Sequence, residues 1–166
     1  MWSRVAAVVL AVTLGTVAGA ACDGPDRETV SREARVYVAT IRDVLAEQPP
    51  PPEPDVLPVV YVVGVGETRI AADVQAQVVS ELDEVADIRF ADQRSEAMLE
   101  KEEHAPVREG GVLVAIGELP PEADPVELPI EVYRSEEDWS KVVLTLAGSS
   151  SQWTVTSSSV VPAADR

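Results

Sequence analysis

Three β-rich segments follow one another closely near the C-terminus: Val126–Arg134, Trp139–Ala147 and Gln152–Ser157. Only Ser135-Glu136-Glu137-Asp138 and Gly148-Ser149-Ser150-Ser151 separate them. A four-residue connection cannot hold a crossover helix, so these strands must run antiparallel to their neighbours. Whatever precedes them therefore has to join a sheet that ends in a meander.

Upstream, Val30, Ala34, Val38, Ile41 and Leu45 recur every three to four residues. The spacing predicts an amphipathic helix from about Thr29 to Glu47, capped by Thr29 or Ser31. Pro49-Pro50-Pro51-Pro52-Glu53-Pro54 stops it, because proline removes donors and clashes with the preceding turn. Residues 49–58 read as a stiff proline-rich linker. Val59–Val65 is β-branched and continuously apolar, the signature of a buried strand. Ile70, Val74, Val78, Leu82 and Val85 mark a second helix, and Ile88-Arg89-Phe90 a short strand. Asp92–His104 is charged and reads as a loop with some helix around Met98 and Leu99. Gly110-Gly111 turns into a strand at Val112–Ile116, and Pro120–Pro125 forms a second proline-rich loop. This order predicts an α+β fold, with two helices packed on one face of a mainly antiparallel sheet that closes in a three-strand meander. A doubly wound α/β fold needs further helices between the later strands, and the short connections leave no room for them.

Ahead of this domain stands a leader. Met1-Trp2-Ser3-Arg4 carries one positive charge, and the uncharged apolar run Val5–Ala21 ends on Cys22, the single cysteine. The run is 17 residues, shorter than the roughly 20 that span a bilayer. Residues 1–21 therefore read as a signal peptide, 22–28 as a tether, 29–161 as one domain and 162–166 as a flexible tail. Two cleavage routes fit. Ala20-Ala21-Cys22 matches the small-small-Cys end of a bacterial lipoprotein signal, although Gly19 stands where a branched aliphatic residue is usual. Ala18-Gly19-Ala20 offers an Ala-x-Ala site that leaves Ala21 at the new N-terminus. Lipidation of Cys22 is the favoured reading, since it removes a thiol that is a liability outside the cell.

About 145 residues remain after the leader, enough for a core without disulfides. They hold all 29 acidic residues and 12 basic ones, a net charge near −17. That charge opposes binding to nucleic acid and to anionic lipid headgroups.

Candidate sites are few. Gly64-Val65-Gly66 lies between a predicted strand and a predicted helix, as in a dinucleotide-binding turn. The third glycine of that pattern is Arg69, Glu67 sets a carboxylate against a pyrophosphate, and no further βαβ unit is expected. A glycine-rich turn is the better reading. His104 is the single histidine, too few for a zinc site in one copy. No Gly-x-Ser-x-Gly elbow presents a nucleophile, and Ser149–Ser151 read as turn residues. Asp83, Glu84 and Asp87, and Glu136, Glu137 and Asp138, read as solvated acidic faces without a calcium-loop pattern. Trp139 and Trp153 read as sheet-packing residues. No catalytic, cofactor or metal site is expected.

Val59-Val60-Tyr61-Val62, Ile88-Arg89-Phe90-Ala91-Asp92-Gln93-Arg94, Gly110-Gly111-Val112-Leu113-Val114-Ala115-Ile116-Gly117 and Gln152-Trp153-Thr154-Val155 together carry a resemblance. Over about residues 30–157 the chain resembles an uncharacterised family of secreted or lipid-anchored actinobacterial proteins. The scarcity of lysine, two against eleven arginines, suits a GC-rich bacterial source of that kind. The resemblance implies a compact α+β domain behind an export signal and carries over no catalytic residue.

The expectation is a non-enzymatic extracytoplasmic lipoprotein on the outer face of the cell membrane, held by lipid on Cys22. Its partner would be an envelope protein or ligand, and not nucleic acid. The alternatives are a secreted hydrolase using carboxylates or His104, and a small-ligand carrier with its cavity between helices and sheet. Palmitate labelling tests the anchor: the wild-type chain takes up label and sediments with membranes, and Cys22→Ala loses both. Unchanged label and fractionation in that variant would show that the anchor is not at Cys22.

Overall fold

The computed structural model describes residues 27–49, 56–66, 68–100, 104–121, 124–149 and 152–162. The expected signal peptide and Cys22, and most of the first proline run, lie outside the described residues. The domain is α+β, with helices α1 (Arg27–Ala46), α2 (Ala72–Leu82) and α3 (Arg94–Ala97). Its strands are β1 (Val59–Gly64), β2 (Asp87–Phe90), β3 (Val112–Ile116), β4 (Val126–Tyr133), β5 (Trp139–Gly148) and β6 (Trp153–Val160). They form one six-stranded sheet in the order β2-β1-β3-β4-β5-β6.

The sheet is mixed. β1 pairs in parallel with β2, Val60 opposite Ile88, and with β3, Val62 opposite Val114. β3–β4, β4–β5 and β5–β6 are antiparallel. The sheet is mostly antiparallel, as the sequence predicts, and its parallel part at β2-β1-β3 is a feature the predicted sheet does not specify. β1, α2 and β2 are a βαβ unit, because a parallel pair needs a crossover and α2 supplies it.

Burial follows the pairing. Val60 and Val62 join Val112, Val114 and Ile116 in one apolar cluster with α1 and α2 residues such as Ile41, Val74, Val78 and Leu82. Tyr61 and Val63 turn the other way and join Leu113, Ala115 and Tyr133 with Ala97, Met98 and Val107. β1 and β3 are thus covered on both faces, which explains why their sequences are apolar at every position. β4 alternates instead: Val126, Leu128 and Ile130 are buried while Glu127 and Pro129 are exposed. Each fully buried Leu or Ile contributes about 1.5–3 kcal/mol over its exposed state.

Several boundaries differ from the sequence expectation. Thr29 and Ser31 lie inside α1 and cannot cap it, because the helical backbone continues upstream to Arg27. α2 stops at Leu82, where the amides of Val85 and Ala86 turn back to the Leu82 carbonyl, leaving Val85 exposed. Ile70 packs on the core from the loop before the helix. The short helix falls at Arg94–Ala97, not around Met98 and Leu99. Met98 is extended and bridges Val107, so this charged stretch still buries Ala97 and Met98. The last strand runs on to Val160.

Tyr37 sits in the first cluster at 1% exposure, and its hydroxyl donates to Glu33 Oε1 at 2.9 Å. Burial first, and then the Glu33 carboxylate, push its phenol well above the ordinary value of 10.0. A group whose folded pKa is raised contributes stability in full below its unfolded pKa and loses it as pH climbs. Urea midpoints measured below and above about pH 10 therefore fall on the alkaline side, and Tyr37→Phe reduces that fall. An equal alkaline loss in the variant would mean that Tyr37 is not the group responsible.

Candidate functional site

The chain leaves β1 and β2 toward opposite faces of the sheet. After β1 it enters α2, whose Val74, Val78 and Leu82 belong to the first cluster. After β2 it enters α3 and the following segment, whose Ala97 and Met98 belong to the second. Diverging connections at the carboxyl ends of parallel strands leave a crevice between them, the usual ligand position in open parallel sheets. Here the crevice has a volume of about 700 Å³ and is lined by Gly64, Gly66, Thr68, Arg69, Ile70, Gln75, Phe90, Ala91, Asp92 and Gln93.

The turn after β1 is shaped by glycine. A Cβ on Gly64 would lie 1.9 Å from the Thr68 carbonyl oxygen, because the loop folds back over it. Gly66 holds φ +67°, a conformation that favours glycine. The Thr68 amide closes the turn on the Val65 carbonyl at 3.2 Å, and Val65 extends the ladder by donating to Ile116 O at 2.8 Å. On the crevice wall, the Gln75 side-chain amide donates to Ile70 O at 2.8 Å, fixing the loop against α2. Arg69 is exposed at the rim and forms no ion pair with another described residue. From the β2 side come Asp92 and Gln93, whose proximity to Arg69 depends on the parallel β1–β2 pairing.

The sequence reads Gly64-Val65-Gly66 as a plain glycine-rich turn, not a ligand loop, and the structure sets Gly64 and Gly66 on the crevice wall. The crevice-lining Arg69, Asp92 and Gln93 were missed as a group. Each sits in a segment that looks locally like an ordinary loop, and their one sequence-level signal was the paired pattern of strand, glycine turn and helix.

His104 lines a shallower cavity of about 220 Å³ with Arg94, Glu131, Tyr133, Glu136, Trp139 and Lys141. Arg94 is ion-paired with Glu131 and stacks over the Tyr133 ring at 4.1 Å. Lys141 also approaches Glu131 at 3.7 Å, so that carboxylate is shared by two cations. The two acidic clusters are each divided between solvent and an arginine. Asp83 and Glu84 are exposed, while Asp87 turns to Arg89 at 2.7 Å. Glu136 and Glu137 are exposed, and Asp138 pairs with Arg134 at 3.2 Å. Among the described residues no group of three His, Cys, Asp or Glu side chains could hold a metal ion. Trp153 is a core residue at 8% exposure, with Arg32 over its ring at 5.1 Å, whereas Trp139 is exposed on the sheet. Ser149 follows β5 in the turn, its amide donating to Gln152 O.

Arg89 organises the opposite edge. It donates to Glu109 at 2.5 Å, to Asp87 and to the Tyr61 hydroxyl, and these bonds push its guanidinium still higher. The same hydrogen bond holds the Glu109 carboxyl below its ordinary value. Glu109 reaches this position from a left-handed backbone, φ 57°.

No protein-family model, curated protein or solved structure matches this chain. Among the described residues, no helix is long and apolar enough to cross a membrane.

Proposed function

We propose that this chain is an extracytoplasmic lipoprotein of the actinobacterial kind it resembles, held at the outer membrane face through Cys22, whose domain is a non-catalytic binding module. Its ligand is a small zwitterion or carboxylate seated in the crevice at the carboxyl ends of β1 and β2. The scaffold is read as two helices laid on one face of a sheet that closes in a meander.

The crevice carries this reading. Arg69 supplies a cation without a competing ion pair among the described residues, and Asp92 supplies an acceptor for a ligand ammonium or hydroxyl. Thr68 and Gln93 add neutral hydrogen-bonding groups, and Phe90 an apolar wall. The space between helices and sheet is occupied by fully buried side chains such as Ile41, Val78, Val114 and Leu128. The carrier cavity expected there is reduced to a cleft of about 500 Å³ at the β6 margin, lined by residues such as Arg35, Arg42, Glu81 and Trp153, and the strand-end crevice is the larger of the two at about 700 Å³.

A thermal-shift panel of amino acids and small carboxylates tests the reading. At least one compound raises the Tm of the wild-type chain, by about 2.7 kcal/mol of stabilisation at a hundredfold excess over Kd. Arg69→Ala loses most of that shift while keeping the unliganded Tm. No shift with any compound, or an equal shift in Arg69→Ala, would contradict the assignment.

A further inference from the structure

α1 crosses the sheet from end to end, against the direction of β1 and β3. Near its start, Arg32 donates to Pro120 O at 3.2 Å and lies over the Trp153 ring at 5.1 Å. Pro120 follows β3, and Trp153 stands opposite Gly148 at the end of β5, so both mark the carboxyl end of β3. Near its finish, Val44 and Glu47 line a cavity with Val132, Arg134 and Ser140, by the amino end of β3. α1 therefore begins at the end of the sheet where the crevice opens, since β1 finishes there at Gly64.

The two acidic clusters sit at the other end. Asp83 and Glu84 follow α2, which returns the chain to the start of β2, and Asp87 stands opposite Val59. Glu136, Glu137 and Asp138 form the turn between Tyr133 and Trp139, and Tyr133 pairs with Leu113 near the start of β3.

Chain length ties one of these ends to the anchor. Residues 23–26 alone separate Cys22 from Arg27, where α1 begins, a connection of at most about 17 Å. α1 is 20 residues long, about 30 Å. A domain standing on its acidic end would hold the start of α1 farther from the bilayer than this tether reaches. Standing on its crevice end, it stays within reach. Charge acts in the same direction, because both acidic clusters are repelled by anionic lipids.

We propose that the crevice end faces the bilayer and that the crevice takes the phosphate–ammonium headgroup of a zwitterionic phospholipid. The inference rests on the anchor at Cys22 and on the crevice as the ligand site, and it names the source of the zwitterion. Arg69 donates to the phosphodiester, Asp92 accepts from the ammonium, and Phe90 offers an apolar wall to the carbons between them. A purely anionic headgroup is opposed by Asp92 and by the net charge of −16.

The full lipidated chain in phosphatidylcholine–phosphatidylethanolamine vesicles tests the orientation. Lipid occupies the Cys22 thiol, so one introduced cysteine takes a fluorophore. Val65→Cys sets it on the turn beside the crevice and Glu136→Cys on the acidic end, both at exposed positions. A spin-labelled headgroup removes most of the Val65→Cys fluorescence and little of the Glu136→Cys fluorescence. Equal quenching at the two positions would overturn the inference. The ligand is tested by thermal shift of the full chain in mild detergent. Glycerophosphoethanolamine raises the Tm, and glycerophosphoglycerol, which lacks the ammonium, binds at least about tenfold more weakly. Asp92→Asn removes that preference, and Arg69→Ala removes the shift. Tighter binding of free phosphoethanolamine than of its glycerol diester would assign the site to a soluble phosphate and overturn the lipid source. A response to amino acids or carboxylates without one to glycerophosphoethanolamine would leave the crevice a ligand site and overturn this inference alone. Absence of palmitate on Cys22 would overturn the anchor and this inference together.

Discussion

β1 and β3 are parallel neighbours buried on both faces, and most of the architecture follows from covering them. A parallel pair has no water-facing side, so each face needs its own layer. α1 and α2 residues fill one side, and Ala97, Met98 and Val107 the other. To reach both sides the chain must leave β1 and β2 in opposite directions, and the crevice is the gap that this divergence leaves. The antiparallel strands beyond β3 carry a lighter requirement, and β4 alternates buried and exposed residues accordingly.

The elements with a local period were legible in the sequence. α1 and α2 showed their apolar stripes, β1 its unbroken β-branched run, and β4 to β6 their short connections. What stayed hidden was the pairing of β1 with β2 and β3, which joins residues far apart in the chain and leaves no local pattern. The segment from Arg94 to Val107 was hidden for a related reason. Its charges suggest a solvated loop, yet Ala97, Met98 and Val107 are the few apolar positions that close the second face. A cover so sparse has no helical period to betray it. The crevice was half legible: Gly64 and Gly66 marked the turn, whereas the placing of Arg69 and Asp92 on one crevice required the β1–β2 register.

An acidic chain of this composition uses its few cations sparingly, and the fold sets most of the described ones in contacts. Arg89 gathers Asp87, Glu109 and the Tyr61 hydroxyl at one edge, and Arg94 and Lys141 share Glu131 on the exposed side of the meander. These pairs are partly exposed, so they orient side chains more than they stabilise the fold. Arg69 stands at a crevice rim without such a partner among the described residues, as Arg35 and Arg42 do at the cleft beside β6. That contrast gives the crevice its chemical character, with the net negative charge elsewhere discouraging anions from competing surfaces.

The central claim is that the doubly covered β1–β3 pair is the rigid centre on which the crevice and the antiparallel strands depend. Residue-resolved hydrogen exchange measures this directly. The amides of Val60–Val63 and Val112–Ile116 are expected to exchange only through global unfolding, more slowly than those of β5 and β6. Exchange of β1 as fast as that of β6 would contradict the claim and place the stable core in the antiparallel half.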